Sequence, residues 1–277
     1  MIATTDNATD PHLPTLSQLG GDLLHVTPGR LFVTLALPFV AMGCYTLFAL
    51  LGWWPLAVVS VMVLSFVTYG SSSHDLVHRT LHLPHHFNDF MLSLIELLSL
   101  RSGTAYRLSH LHHHQHLLAD DDIEGATAHG SLLGAVASGP TTQIRIWLWA
   151  WRNHQPMRPR LLFEGVGILI LIIIAIATFR WTPVPLVYAA LVIGGSWLFP
   201  LITVYIPHDA RATQPLNQTR LFRGRLVQLI AFNHLYHLEH HLYPAVPHHH
   251  WKALADRLDP HFERAGIKPY RGSSKVA

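Results

Sequence analysis

The chain has 277 residues, half of them hydrophobic and only 13% charged, with 19 Lys and Arg against 16 Asp and Glu and a formal net charge of +3. So little charge, with a mean hydropathy of +0.27, argues against a soluble α/β domain or a nucleic-acid binder and for a multi-pass membrane protein. The one cysteine, Cys44, excludes a disulfide framework and Cys-ligated zinc or iron–sulfur sites.

Residues 1–29 are polar, carry Pro11, Pro14 and Pro28, and lack a basic n-region, so they read as a cytosolic tail rather than a signal peptide. Residues 30–277 read as a single membrane domain. Residues 31–51 form an apolar run near the ~20 residues a helix needs to cross the hydrocarbon core. Residues 53–69 follow at once and make a hairpin with the first span. Residues 85–105 contain an apolar stretch broken by Asp89, Glu96 and Arg101, too short for a span, and are expected to form an interfacial or re-entrant helix. Gln143–Trp151, with Trp147, Trp149 and Trp151 and with Arg145, Arg152, Arg158 and Arg160 nearby, reads equally as a membrane-surface anchor or a packed cap helix. Residues 165–181 and 184–206 are the third and fourth spans, joined by a very short loop. Pro38 and the pair Gly194–Gly195 suit kinked or closely packed membrane helices. The expected fold is therefore all-α and integral to the membrane: four transmembrane helices carrying a cytosolic helical cap.

Only Arg180 of the basic residues falls on the short-loop side, so the positive-inside rule assigns both termini and the long central segment to the cytoplasm. Nine histidines fall on that same side. His74 and His78 form H-D-L-V-H; His110, His113 and His114 form H-x-x-H-H; His237, His240 and His241 form a second H-x-x-H-H; His208 follows the fourth span. On helices, positions i, i+3 and i+4 share a face, so each box converges, while His112 and His116 point away from the 110/113/114 face. His82, His85 and His86 repeat the pattern, but Pro84 interrupts it. His234 and Asn233 share the face of the third box, and either would join the site directly or through water. His248, His249 and His250 follow two prolines and are expected on the surface. Nine imidazoles exceed the needs of one ion and suffice for two. Imidazole suits zinc, copper, iron and nickel, and two ions with open positions suit redox iron better than closed structural zinc. A ligand ring usually gives its other N–H to a carboxylate. Asp75, Asp209, Glu239 and the acidic run Asp120–Glu124 are candidates for that task.

Three boxes in this order and at these places resemble the membrane fatty-acid desaturase/hydroxylase superfamily. H-L-E-H-H-L-Y-P at 237–244 followed by A-V-P, and D-D-D-I-E-G after the second box, are similar to stretches of that family. The resemblance spans roughly residues 31–260. It implies a non-haem di-iron centre held by His74, His78, His110, His113, His114, His237, His240 and His241, with His208 in the place of a further family histidine. Some members place an Asn near that position; 201–208 contains none, and Asn233 is a weak substitute. The implied reaction is O2-dependent oxidation of an unactivated C–H bond in a membrane lipid, desaturation of a fatty acyl chain foremost, with carotenoid or terpenoid ketolation or hydroxylation as the alternative. The chain lacks a G-x-G-x-x-G fingerprint and a fused haem domain, so electrons come from a separate donor, a ferredoxin or a small haem protein. Arg145, Arg152, Arg158, Arg160, Arg220, Arg223 and Arg225 would steer an acidic donor or reflect anionic lipid. A metal transporter is the competing class. It should carry ionisable groups at mid-membrane, and the four span centres hold no His, Asp or Glu.

Overall fold

The computed structural model describes residues 13–224 and 234–270. Among them the chain is helical and contains no strand; an isolated bridge joins His208 to Thr219. Helix α1 is Pro28–Leu50. The Thr27 side chain accepts from the Arg30 amide, and Pro28 sits where a helix can spare an N–H. Gly52, at φ +75°, makes the turn into α2. Ala41, Tyr45 and Ala49 of α1 meet Ala57, Val61 and Leu64 of α2, small residues letting the backbones approach.

Helix α2 runs from Trp54 to His78, beyond the span end expected at residue 69. Gly70 and the three serines after it read as a loop by composition but stay helical. Ser71 Oγ bonds back to the Val67 carbonyl at 2.8 Å, and Ser72 Oγ donates to the Thr34 carbonyl of α1 at 2.6 Å. Residues Thr68–Ser72 form a π-helical turn within it. Such turns re-aim the residues that follow and recur at functional sites. The first histidine box is thus the continuation of the second span.

The segment 85–105, expected at the interface, forms helix α3 (His85–Leu98) and the first residues of α4 (Gly103–Gln115). Leu92 and Ile95 of α3 are buried, whereas Phe87 and Phe90 are exposed. Helix α5, Leu132–Asn153, buries Ala135, Ile146 and Ala150 and exposes Leu133, Val136 and Ile144. Gly139 lets it approach the fourth span, because a Cβ there would lie 2.2 Å from the Trp197 carbonyl oxygen.

Helix α6 is Arg158–Thr178, and α7 runs from Val184 to Tyr205 with a second π-helical turn over Pro200–Tyr205. Half of the apolar window of α2 and 39% of that of α7 are buried, against 17% in the first and third spans. The second and fourth spans are therefore the inner pair, and the others turn Phe32, Leu47, Leu169 and Ile173 outward, as lipid-facing helices do. Four helices of this length and hydropathy make the chain an integral membrane protein.

Helices α8 (His237–Leu242) and α9 (Trp251–Arg264) close the histidine end. Residues 13–24 pack against them. Leu13, Leu19 and Leu23 join Tyr236, Leu238, Trp251, Leu254 and Phe262 in one core. Arg257 pairs with Asp22, and Tyr243 Oη donates to the Pro14 carbonyl at 2.6 Å. The described part of the N-terminal segment is docked because its leucines supply apolar surface that the polar composition of residues 1–29 conceals.

Candidate metal centre

Three structural devices bring the histidines together. His74 and His78 sit one above the other at the end of α2, whose last carbonyls, of Leu76 and Val77, accept from Arg107 of α4 at 3.3 and 2.6 Å. His208 follows α7, and Arg220 likewise donates to the carbonyls of Tyr205 and Ile206 at 3.2 and 2.8 Å. A cation at a helix C-terminus satisfies orphan carbonyls and complements the helix dipole. Each histidine-bearing span end is therefore fixed by an arginine from another segment. Helices α4 and α8 present their boxes between these two ends.

All nine sequence-selected histidines come together, in two adjacent groups. His74, His78, His110, His114 and His240 form one; His113, His208, His237 and His241 form the other; within each, the ligand nitrogens lie within 4.8 Å of one another. The groups touch where the rings of His114 and His241 stand 4.3 Å apart. Helix α4 supplies both, because His113 lies a step around the helix from His110 and His114.

The first group is a chain of Nε2 atoms. His74 to His110 is 3.1 Å, His110 to His114 3.2 Å, and His114 to His240 2.8 Å. In the second group His237 to His241 is 3.1 Å and His241 to His208 3.3 Å. Nitrogens about 2.1 Å from one ion, at right to tetrahedral angles, lie about 3.0–3.4 Å apart. The outer nitrogens of three rings fix which way their lone pairs face. His110 Nδ1 donates to Glu124 Oε1 at 2.9 Å, His113 Nδ1 to Asp122 Oδ2 at 2.7 Å, and His208 Nδ1 to the Val204 carbonyl at 2.8 Å. A neutral ring that gives its Nδ1 proton away has no proton on Nε2. His110 Nε2, which touches two other Nε2 atoms, cannot satisfy both by hydrogen bonding. A cation at the centre of each group satisfies all of them, so the donor set fits two transition-metal ions.

Burial disfavours the charged form of five of these rings. It pushes His114, His237, His240 and His241 well below the ordinary histidine range, and the neighbouring histidines push the same way. Burial, then His113, brings His208 down to about 3. His113 moves the other way: burial opposes its charge, but the hydrogen bond and charge of Asp122 prevail. Neutral imidazole is the form a metal binds.

The carboxylates divide differently from the expectation. Asp75 is buried and accepts from the His248 amide at 2.8 Å and Thr80 Oγ1 at 3.1 Å. Asp209 lies 3.7 Å from Arg220 at the edge. Glu239 is buried against Arg223, and burial raises its carboxyl to about 7 against that guanidinium. No described ring nitrogen of the nine hydrogen-bonds to any of these three. Asn233 lies outside the described residues. The rings are held instead from the acidic run after the second box, by Asp122 and Glu124. Asp122 is pinned by the amides of Leu118 and Gly125 at 3.0 and 2.8 Å, and Tyr69 Oη donates to Glu124 at 3.2 Å. The sequence marks that run, but only burial separates Asp122 and Glu124 from exposed Asp120 and Asp121.

Among the remaining histidines, His82 bonds the Leu24 carbonyl at 3.1 Å, and His85 starts α3 beside Arg79. Both stand outside the two groups. Of the arginines proposed to steer a donor, Arg158, Arg160, Arg220 and Arg223 are engaged within the protein. Arg145 and Arg152 are exposed, and Arg225 lies outside the described residues.

Sequence reasoning did not find the cavity beside the site. It has a volume of about 410 Å³ and lies between α2 and α7, lined by Val61, Met62, Phe66, Leu191 and Ile202. Tyr69 and His234 line its end toward the histidines. The His234 ring is buried, 5.2 Å from the His237 ring, and neither of its nitrogens has a hydrogen-bond partner among the described residues.

No curated protein matches the chain. The sequence model of the family described as "Fatty acid desaturase" matches residues 48–272, which include three of the four spans and all nine histidines. Apolar spans, a histidine-lined end and a match over most of the chain agree: the chain belongs to the fatty acid desaturase family, as an integral-membrane oxidoreductase of the desaturase/hydroxylase type that oxidises lipid.

Proposed function

We propose that the chain desaturates a fatty acyl chain with O2, using two non-haem irons held at the end of its spans. The observation that carries this reading is the pairing of two histidine groups, all nitrogen donors, with an apolar cavity that ends one ring away from them. His74, His78, His110, His114 and His240 would hold one ion, and His113, His208, His237 and His241 the other. Bound there, the ions would supply the activation of O2 that removal of hydrogen from an unactivated C–H bond requires.

The protein's part is positioning. A cavity of this size and apolar lining is of the kind that takes a small lipid segment. Its walls come from the two inner spans, so a lipid reaches it from the bilayer. Glu124 and Asp122 hold the rings of His110 and His113 so that Nε2 faces inward. Burial of six of the nine rings, with His78, His114 and His241 partly buried, limits the water that would otherwise compete at the ions. The basic bias of residues 70–164 and of those after 206 supports a cytoplasmic position for this end and both termini. There a ferredoxin or small haem protein would deliver electrons.

The test is expression in cells that make both saturated lipids and carotenoids, followed by mass analysis of both pools and of the purified protein's metal. New double bonds in acyl chains, with about two irons per chain, support the proposal. New keto or hydroxyl carotenoids with unchanged acyl chains would replace the substrate and keep the centre. Zinc-only protein without oxidised product would overturn both.

A further inference from the structure

Helix α4 and its C-cap residue His116 together carry five histidines, and the centre described above uses only one face. We infer that the opposite face holds a separate, exchangeable divalent transition-metal site made of His112, His116 and Asp121. This inference does not rest on the proposed reaction.

The three side chains offer ligand atoms within 4.8 Å of one another. Asp121 Oδ2 is 3.2 Å from His112 Nε2 and 3.1 Å from His116 Nδ1. The two rings are one helical turn apart and stack at 4.1 Å between centroids. His116 and Asp121 are 45% and 57% exposed, so an ion reaches the site from solvent and leaves it again. A pair of ordinary His–Asp hydrogen bonds would account for His116, which bonds Asp121 Oδ1 at 3.2 Å. It does not account for His112. Its Nε2 is shut off from solvent and, despite the short distance to Asp121, makes no hydrogen bond in the described structure. The Trp149 ring, 5.0 Å away, covers one side of the His112 imidazole.

Two imidazoles and one carboxylate on neighbouring positions leave several coordination places for water. That donor set suits Zn²⁺, Fe²⁺ or Co²⁺ rather than Ca²⁺ or Mg²⁺. The location gives such an ion a mechanical consequence. His112 precedes His113, and Asp121 precedes Asp122, which holds the His113 ring. An ion shared by His112, His116 and Asp121 ties the end of α4 to the loop of residues 116–122.

The experiment uses the full chain in detergent, with Zn²⁺ as the probe. Metal per chain is counted after equilibration with free Zn²⁺, and cutting of the 116–122 loop by a protease is followed in the same samples. The wild type should hold one more exchangeable zinc than H116A or the H112A/H116A pair, and Zn²⁺ should slow loop cutting only in the wild type. D121N should lose the same ion. These residues are partly or well exposed, and equal melting temperatures without added Zn²⁺ establish that the variants fold. Equal zinc in the wild type and H116A overturns the inference. So does loss of the extra zinc in H78A but not in H116A, because the ion then belongs to the buried centre.

Discussion

Two buried polar clusters lie close together at this end of the molecule, and they are built on opposite rules. In the first, Glu164 of α6 is fully buried and accepts from the Thr104 amide at 3.1 Å, Thr104 Oγ1 at 2.9 Å, and the hydroxyls of Ser93 and Ser102. Beside it, Arg101 pairs with Glu96 at 2.8 Å and donates to Thr68 Oγ1 at 3.2 Å. Each carboxylate there meets donors, and the cluster clasps α3, α4 and α6. In the second, the histidine groups, ring nitrogens converge at about 3 Å, and the outer nitrogens of His110, His113 and His208 donate to Glu124, Asp122 and the Val204 carbonyl. A closed network needs nothing more. An array of converging lone pairs is complete only around cations.

The largest expected effect tests that contrast directly. H240A removes one of the five rings of the first group, so purified protein should lose metal and product should fall below detection. Without metal, the variant should melt close to metal-free wild type, because the lost ring was held against other lone pairs. A metal-free H240A protein that is strongly destabilised, while wild type binds no ion, would make the histidines a structural knot like that of Glu164.

The reverse pattern is expected of E164A. It strips an acceptor from two serines, a threonine hydroxyl and a backbone amide in a dry contact between helices. The cost should be about 3–5 kcal/mol, read as a lower unfolding temperature in detergent. E164Q, which keeps one carbonyl acceptor, should cost less. The folded fraction of either variant should bind metal as wild type does. A normally stable E164A that has lost its metal would merge the two clusters into one.

A smaller effect is expected of D122N. The amide can turn its NH2 toward His113, which favours the wrong ring tautomer, with the proton on Nε2. Second-group metal should then be held about 10–100-fold more weakly, measured by competition with a chelator, and melting should change little. Unchanged retention would mean that His113 does not need its carboxylate.

The boxes were legible because helical phase is a local property. H-x-x-H-H and H-x-x-x-H converge on a helix whatever surrounds them, so all nine histidines could be selected from spacing and the parity of crossings. The spans were legible for the same reason, since hydropathy is a sum over neighbours. What escaped depends on contacts between distant segments. Gly70, Ser71, Ser72 and Ser73 have the composition of a loop, yet the Thr34 carbonyl of another helix supplies an acceptor that keeps them helical. Asp121 and Asp122 are adjacent and of the same residue type, and only the fold buries one of them. Arg107 and Arg220 read as cytosolic charge, whereas each closes the end of a histidine-bearing helix. The partition of the second box between two groups follows from where α2, α7 and α8 arrive around α4.

The smallest effect sharpens the comparison by leaving both clusters alone. Gly194 of α7 lines the apolar cavity, and a Cβ placed there meets nothing within 4 Å. The backbone therefore tolerates a side chain, and G194F should project its ring into the cavity rather than into a neighbouring helix. Metal content and melting should match wild type, since no group of either cluster is touched. The oxidised lipid should change. Filling part of a hydrophobic pocket discriminates by about 1–2 kcal/mol, roughly tenfold, so turnover of the longest substrates should fall most and the product profile should shift to shorter or less bulky ones. If G194F keeps the wild-type product profile at full rate, lipid does not reach the histidines through the gap between the second and fourth spans. Its path would then have to run beneath the cap, past His234.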